Sequence, residues 1–126
     1  MRVRLPSMVA ILLGAAALIA AAACAQAAGG SAVGSKSAPT GRVSVADDHF
    51  SPRSLSVSRG TRVVWRWKGA NEHNVRFRKV PNGVSKRGSD TQSSGRFARI
   101  LDKRGTYRYV CTIHQDLGMK GSVNVR

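Results

Sequence analysis

The chain has 126 residues, with 21 lysines and arginines against 6 aspartates and glutamates, and a formal net charge of +15 at pH 7. That length holds one ordinary domain and excludes large folds such as the barrel enzymes of about 250 residues. Its two cysteines are too few for the disulfide framework of a small secreted scaffold, and its three histidines leave few options for a multi-histidine metal cluster.

The N-terminal segment has the pattern of a secretory signal peptide. Two arginines precede an apolar run over 8–23, and small residues follow it. This run of about 16 residues is shorter than the roughly 20 residues of a membrane-spanning helix. Ala25 and Ala27 fit the small-residue cleavage site, so we expect a signal peptide over 1–27 and export to the periplasm, the cell envelope or the extracellular space.

Cys24 offers a second interpretation of the same segment. It follows three alanines, as in a bacterial lipoprotein, but Ala21 stands where such sites carry leucine. Ordinary cleavage is favoured, and lipid anchoring at Cys24 is the alternative. Ordinary cleavage removes Arg2 and Arg4, lowers the formal charge to +13 and leaves Cys111 as the one cysteine. A lone thiol in an exported protein is buried, pairs with another chain or binds a metal.

Residues 28–41 are rich in Gly, Ser and Ala and predict a flexible linker, which leaves 42–126 as the folded domain. In that domain, short stretches of alternating apolar and polar residues between turn signals predict an all-β sandwich or barrel of about seven strands. The expected strands are 42–46, 54–58, 61–67, 73–77, 96–101, 106–111 and 121–125. The residues expected to face the core include Val63, Trp65, Trp67, Tyr107, Tyr109, Cys111, Val123 and Val125.

The loop before the last strand carries a set of metal donors. Cys111, His114 and Met119 follow one another as C-x2-H-x4-M. Thiolate, imidazole and thioether are soft donors that favour copper, and two histidines and one cysteine with a weak axial methionine form the blue-copper arrangement. His73 stands at the start of a predicted strand, where a loop could deliver the second imidazole. Taken singly, each of these residues has an ordinary structural interpretation, and His49 is interpreted as a surface residue.

The chain resembles the cupredoxins, the blue-copper electron carriers, and is most similar to those of the plastocyanin and pseudoazurin type. The matching segments are 50–52, 55–65, 73–75, 105–114 and 119–121, which follow the family's order and spacing over nearly all of 42–126. The resemblance implies a cupredoxin-like Greek-key β-sandwich of seven to eight strands. It also implies one type 1 copper ion, with His73 and His114 as equatorial nitrogen ligands, Cys111 as the thiolate and Met119 as the axial thioether.

The resemblance assigns further roles around that site. His114 is the ligand through which electrons pass, and Leu117 and Gly118 belong to the docking patch around it. Asn74 and Thr112 stand where the family joins its two ligand loops by hydrogen bonds, which fix the orientation of the ligands.

The predicted function is one-electron transfer by copper cycling between Cu(I) and Cu(II), without enzymatic activity. A multicopper oxidase needs more histidines, a dinuclear copper site needs two cysteines in the loop, and no hydrolytic triad is evident. The alternative is an exported copper chaperone or storage module that passes the metal on. Additional methionines would favour that alternative, but Met1 and Met8 lie in the signal peptide.

The positive charge constrains the partner. A basic domain is steered toward acidic surfaces at a rate that falls with salt. We therefore expect a redox protein with an acidic docking surface, or association with an anionic membrane surface. Nucleic acid is not expected, because the chain has an export signal and no recognition motif. A monomer is expected, because electron carriers dock transiently.

Overall fold

A computed structural model of the chain describes residues 37–126, which belong to the compact unit Ser35–Arg126. The predicted signal peptide, 1–27, with Cys24, and most of the predicted linker, 28–41, lie outside the described residues. Within 37–126, no helix is long and apolar enough to cross a membrane.

Eight strands and one turn of 3-10 helix make up the regular structure of the described residues. The strands are β1 (Thr40–Ala46), β2 (His49–Ser51), β3 (Ser54–Val57), β4 (Thr61–Trp67), β5 (Arg76–Lys79), β6 (Arg96–Leu101), β7 (Gly105–Val110) and β8 (Lys120–Val125), and the 3-10 turn is Gln115–Leu117. This architecture confirms the all-β sandwich of seven to eight strands.

The strands form two four-stranded sheets, in the orders β2-β1-β4-β6 and β3-β8-β7-β5. The pairs β1–β4 and β3–β8 are parallel, and the remaining pairs are antiparallel. Because parallel neighbours cannot be joined by a hairpin, the chain crosses between the sheets, and the result is a Greek-key sandwich.

Period-two alternation places the apolar side chains between the sheets. In β4, for example, Val63, Trp65 and Trp67 are buried while the residues between them are exposed or half-buried. The ring of Trp65 meets the rings of Tyr109 and Phe77 edge-on, at centroid distances of 5.4 and 5.8 Å. The residues predicted to face the core are all buried: Val63, Trp65, Trp67, Tyr107, Tyr109, Cys111, Val123 and Val125.

Three differences between the predicted and observed strands exceed one residue. Strand β2 was not expected, because three residues are too short to show a period. Strand β1 begins at Thr40, two residues early: the Pro39 carbonyl accepts from the Arg62 N–H at 2.8 Å, and Gly41 is buried beside the Leu55 side chain. The third difference, at 73–77, arises because the strand proper begins only at Arg76.

Strand direction brings three connecting segments to one end of the sandwich. Val45 at the end of β1 pairs with Trp67 at the end of β4. Val110 at the end of β7 pairs both with the first residue of β5 and with the first residue of β8. The turn after β1, the connection from β4 to β5 and the loop from β7 to β8 therefore meet at the same edge.

Candidate metal centre

Three of the sequence-predicted ligands converge at this end. Cys111 Sγ lies 3.8 Å from His73 Nδ1 and 3.7 Å from His114 Nδ1, and the two Nδ1 atoms are 3.0 Å apart. Among the described residues they form the one group of three histidine, cysteine or acidic side chains close enough together to hold a metal ion. His73 and Cys111 are fully buried, whereas His114 is partly exposed.

The size of this triangle suits a first-row transition metal. The point equidistant from the three atoms lies about 2 Å from each of them, close to the usual distances of about 2.0–2.1 Å to imidazole nitrogen and about 2.3 Å to thiolate sulfur in zinc sites. Two imidazoles and one thiolate in trigonal array are the donor set that selects copper in electron-transfer sites.

The fourth predicted ligand, Met119, is fully buried at the same end, one residue before β8. Its carbonyl accepts the N–H of Cys111 at 3.0 Å, and its own N–H donates to the His114 carbonyl at 3.3 Å. The loop between Cys111 and Met119 is therefore closed by its own backbone, and the 3-10 turn within it supplies the required reversal of direction.

The backbone of His73 is fixed from two sides. The indole N–H of the buried Trp67 donates to the His73 carbonyl at 3.1 Å. His73 and Gln92 also exchange N–H···O bonds of 3.0 Å each, as an isolated bridge. These bonds set the position from which the imidazole reaches the centre.

Asn74 joins the two ligand loops, as the sequence predicted. Its side-chain oxygen accepts the N–H of Thr112 at 2.9 Å, and its amide nitrogen donates to the Thr112 hydroxyl at 2.8 Å. The same nitrogen donates to the hydroxyl of Thr91 at 3.0 Å. Asn74 is buried and uses both ends of its side chain, so the segment carrying His73 and the segment carrying Cys111 are held in one arrangement.

Two acidic residues that the sequence did not single out face the outer nitrogens of the histidines. The Asp47 carboxylate lies 3.2 Å from His73 Nε2, and the Asp48 carboxylate lies 3.8 Å from His114 Nε2. Hydrogen bonds from the Asn71 N–H and from the His73 ring hold the pKa of Asp47 below its ordinary value, so it is a carboxylate near neutral pH. The one feature of the sequence that could have indicated these two residues is that Asp47 and Asp48 are consecutive acids directly after a predicted strand.

His49 is not part of the centre. Its side chain is exposed on β2, and its Nδ1 lies 2.9 Å from the Asp47 carbonyl, to which it donates. This agrees with its interpretation as a surface residue.

Residues 41–126 match the family of copper-binding proteins described as the plastocyanin/azurin family. Plastocyanin of Prochlorothrix hollandica is 35% identical over 98 residues, which cover 71% of this chain and 75% of the relative. Amicyanin-alpha of Methylorubrum extorquens is 32% identical over 115 residues, which cover 88% of this chain and 94% of the relative.

Solved structures give the same result for the fold. The oxidised plastocyanin of Dryopteris crassirhizoma matches with a TM-score of 0.58 at 30% identity, over 68% of this chain and 99% of that one. A purple cupredoxin from Nitrosopumilus maritimus has the same fold at 23% identity, with a TM-score of 0.58 over 68% and 99% of the two chains. With the match over 41–126, these findings show that the chain belongs to the plastocyanin/azurin family of copper-binding proteins.

Proposed function

We propose that this protein is a one-electron carrier whose single copper ion is bound by His73 and His114 through Nδ1, by the Cys111 thiolate and by the Met119 thioether. The observation that carries the proposal is the triangle of two imidazole nitrogens and one sulfur, with a centre about 2 Å from each atom. Membership of a family of copper-binding electron carriers supports it, and this function requires no enzymatic activity.

Copper supplies a one-electron change between Cu(I) and Cu(II) when it is bound. The chain's own contribution is a set of donors held in place by bonds that do not involve the metal. Asn74 ties the two loops together, Trp67 fixes the carbonyl of His73, and the backbone of Cys111 is bonded to that of Met119. Donors held in this way move little when the charge at the centre changes, and a small reorganisation favours fast electron transfer.

His114 is the proposed point at which electrons enter and leave. Its side chain is 20% exposed, whereas His73 and Cys111 are fully buried. The two most exposed large apolar side chains of the ligand loop flank it in sequence: Ile113 is 50% and Leu117 is 67% exposed. Exposed apolar residues around a partly exposed ligand suit brief, close contact with another protein.

The proposed partner is a redox protein with an acidic docking surface. Four exposed basic residues line a groove of about 460 Å³ beside the ligand loop: Arg53, Arg78, Arg108 and Lys120. Arg78 donates to the side chain of Gln115, and Arg53 donates to the carbonyl of Gly118, so two of them contact the loop that carries His114. Association with an anionic membrane surface is the other use of the same charge.

The proposed setting is outside the cytoplasm, in the periplasm or at the cell envelope. The N-terminal pattern of positive residues, an apolar run and small residues supports export. Cys111, the one cysteine of the described residues, is buried, and binding a metal would protect its thiol from pairing in an oxidising compartment. We propose that the carrier acts as a monomer.

An absorption spectrum after addition of one equivalent of Cu(II) tests the ligand set. We expect an intense thiolate-to-copper band in the red, bleached by ascorbate and restored by an oxidant. Cys111→Ser and His73→Ala should abolish the band, whereas the matched control His49→Ala should leave it unchanged. Copper binding without colour would contradict the electron carrier and support the chaperone or storage alternative.

A further inference from the structure

The turn between β1 and β2 directs one carboxylate to each of the two histidines. Asp47 Oδ1 lies 3.2 Å from His73 Nε2, and Asp48 Oδ1 lies 3.8 Å from His114 Nε2. These are the ring nitrogens that point away from Cys111, since both Nδ1 atoms face its sulfur. The two imidazoles are therefore bracketed by Cys111 on one side and a carboxylate on the other.

The Asp47 side chain is held in place by the loop that leads to His73. Its carboxylate accepts the N–H of Asn71 at 3.0 Å and the N–H of Ala70 at 3.3 Å. Gly69 leaves room for it, because a Cβ on that residue would overlap the carboxylate. A side chain with three hydrogen bonds and a fitted space is fixed in orientation, although its surface is 41% exposed.

The fixed position of the Asp47 carboxylate determines which nitrogen of His73 carries the proton. A carboxylate only accepts hydrogen bonds, so Nε2 of His73 must donate, and in the neutral imidazole Nδ1 then keeps its lone pair. A carboxylate behind a ligand imidazole also raises the basicity of the ring. The negative charge of the carboxylate also favours Cu(II) over Cu(I) for a copper ion bound at Nδ1, because opposite charges attract at this range.

We propose that Asp47 is a positioning residue that fixes the Nε2–H tautomer of His73, and that Asp47 and Asp48 together favour Cu(II) over Cu(I) and lower the reduction potential. The second part rests on the ligand set proposed above, and the first part concerns the metal-free protein alone. Asp48 contributes less than Asp47, since its carboxylate is farther from the ring and 53% exposed.

Nitrogen NMR of the metal-free protein at pH 8 tests the tautomer. We expect His73 in the native chain to show a proton on Nε2 and none on Nδ1. Asp47→Asn should keep this pattern, because an amide oxygen in place of Oδ1 still accepts from both His73 and Asn71. Asp47→Ala should let His73 populate both tautomers. An unchanged tautomer in Asp47→Ala would overturn the positioning role.

Voltammetry of the copper protein tests the electrostatic role. Asp47→Asn should raise the equilibrium constant for reduction of Cu(II) about tenfold, which is about 59 mV for one electron. Asp48→Asn should raise it by a smaller factor. The matched control is Glu72→Gln, which removes an exposed negative charge next to His73 in sequence but without a hydrogen bond to its ring. A shift in Asp47→Asn no larger than in the control would overturn this part.

The two measurements separate this proposal from the proposed function. If the absorption spectrum shows no type 1 copper, the ligand set fails, while the tautomer of His73 still decides the role of Asp47. If the spectrum is as expected but Asp47→Ala leaves the tautomer unchanged, the ligand set stands and the positioning role is wrong.

Discussion

The hydroxyl group of Tyr109 and the indole N–H of Trp65 are buried without a hydrogen-bond partner at normal geometry among the described residues. Tyr109 lies two residues before Cys111, in contact with Phe50, Trp65 and Phe77. Burial raises the pKa of Tyr109 to about 12, against a smaller lowering by the nearby Trp65 N–H. Tyr109 therefore keeps its proton far above the ordinary tyrosine pKa of about 10.

This pKa predicts a loss of stability at alkaline pH. Above pH 10 the unfolded chain loses the Tyr109 proton while the folded chain keeps it, so the free energy of unfolding falls until the folded protein also ionises near pH 12. Between pH 8 and pH 11.5, the free energy of unfolding of the metal-free native protein should fall by about 2 kcal/mol more than that of the Tyr109→Phe variant.

Urea denaturation of both proteins at the two pH values measures the difference. At pH 8 the Tyr109→Phe variant should be within about 1 kcal/mol of the native protein, because the hydroxyl that it removes has no partner. Parallel losses in the two proteins up to pH 11.5 would show that Tyr109 ionises in the folded state as readily as in the unfolded state.

Local spacing could indicate Cys111, His114 and Met119 as candidate ligands, and the family resemblance added His73 and the bond between Asn74 and Thr112. They could not indicate Asp47. Its partner His73 is 26 positions away, and the contact requires the turn after β1 to meet the connection from β4 to β5. Such a pairing depends on strand direction and register, which no local pattern contains.

At the scale of elements, the alternation of apolar and polar residues predicted the long strands. It failed where a strand is very short or where close packing of a glycine sets its first residue. Strand β4, with seven residues, shows four inward positions, whereas β2, with three residues, shows only one. The start of β1 was missed because Gly41 ends a segment with the composition of a linker. In the structure Gly41 is buried in the sheet beside Leu55. A glycine required by close packing looks, in sequence, like a glycine that provides flexibility.

The hairpin of β7 and β8 depends on such a close contact. Gly121 is buried opposite Tyr109 in the ladder, and a Cβ on Gly121 would lie 2.6 Å from both Cζ and Oη of the tyrosine. Gly121→Ala therefore forces the ring or the strand to move. We expect a loss of about 1–3 kcal/mol in the free energy of unfolding, the usual cost of overpacking.

Urea denaturation of the metal-free variants tests this contact. The neighbouring change Ser122→Ala, on the outer side of β8, should cost less than about 0.5 kcal/mol. Because Oη is one of the overlapping atoms, Tyr109→Phe should recover part of the loss when it is combined with Gly121→Ala, as a double-mutant cycle would show. Equal stabilities of Gly121→Ala and Ser122→Ala would mean that the ring moves aside without cost.

At the scale of the whole molecule, the distribution of charge is as informative as its sum. Val110, the residue directly before Cys111, lies in the groove that Arg53, Arg78, Arg108 and Lys120 surround. Net charge was available from composition. The position of these four residues beside the ligand loop was not available from composition. Arg108 lies in β7, Lys120 in β8 and Arg78 in β5, while Arg53 directly precedes β3, and only the sheet order brings these strands together. An acidic partner docked there would lie next to Val110 and beside the loop that carries His114.

A small anionic oxidant shows whether this charge directs electron transfer. Oxidation of the reduced copper protein by hexacyanoferrate(III) should slow as ionic strength rises, because the basic face attracts the anion. Arg78→Glu combined with Arg108→Glu should lower the rate roughly tenfold at low ionic strength.

Arg59→Glu combined with Arg104→Glu is the control: it makes the same change in net charge, in turns at the opposite end of the sandwich, and should lower the oxidation rate much less. At about 1 M salt, where screening acts within about 3 Å, all three proteins should react alike. Equal effects of the two double variants would mean that only net charge matters and that the groove is not the docking face.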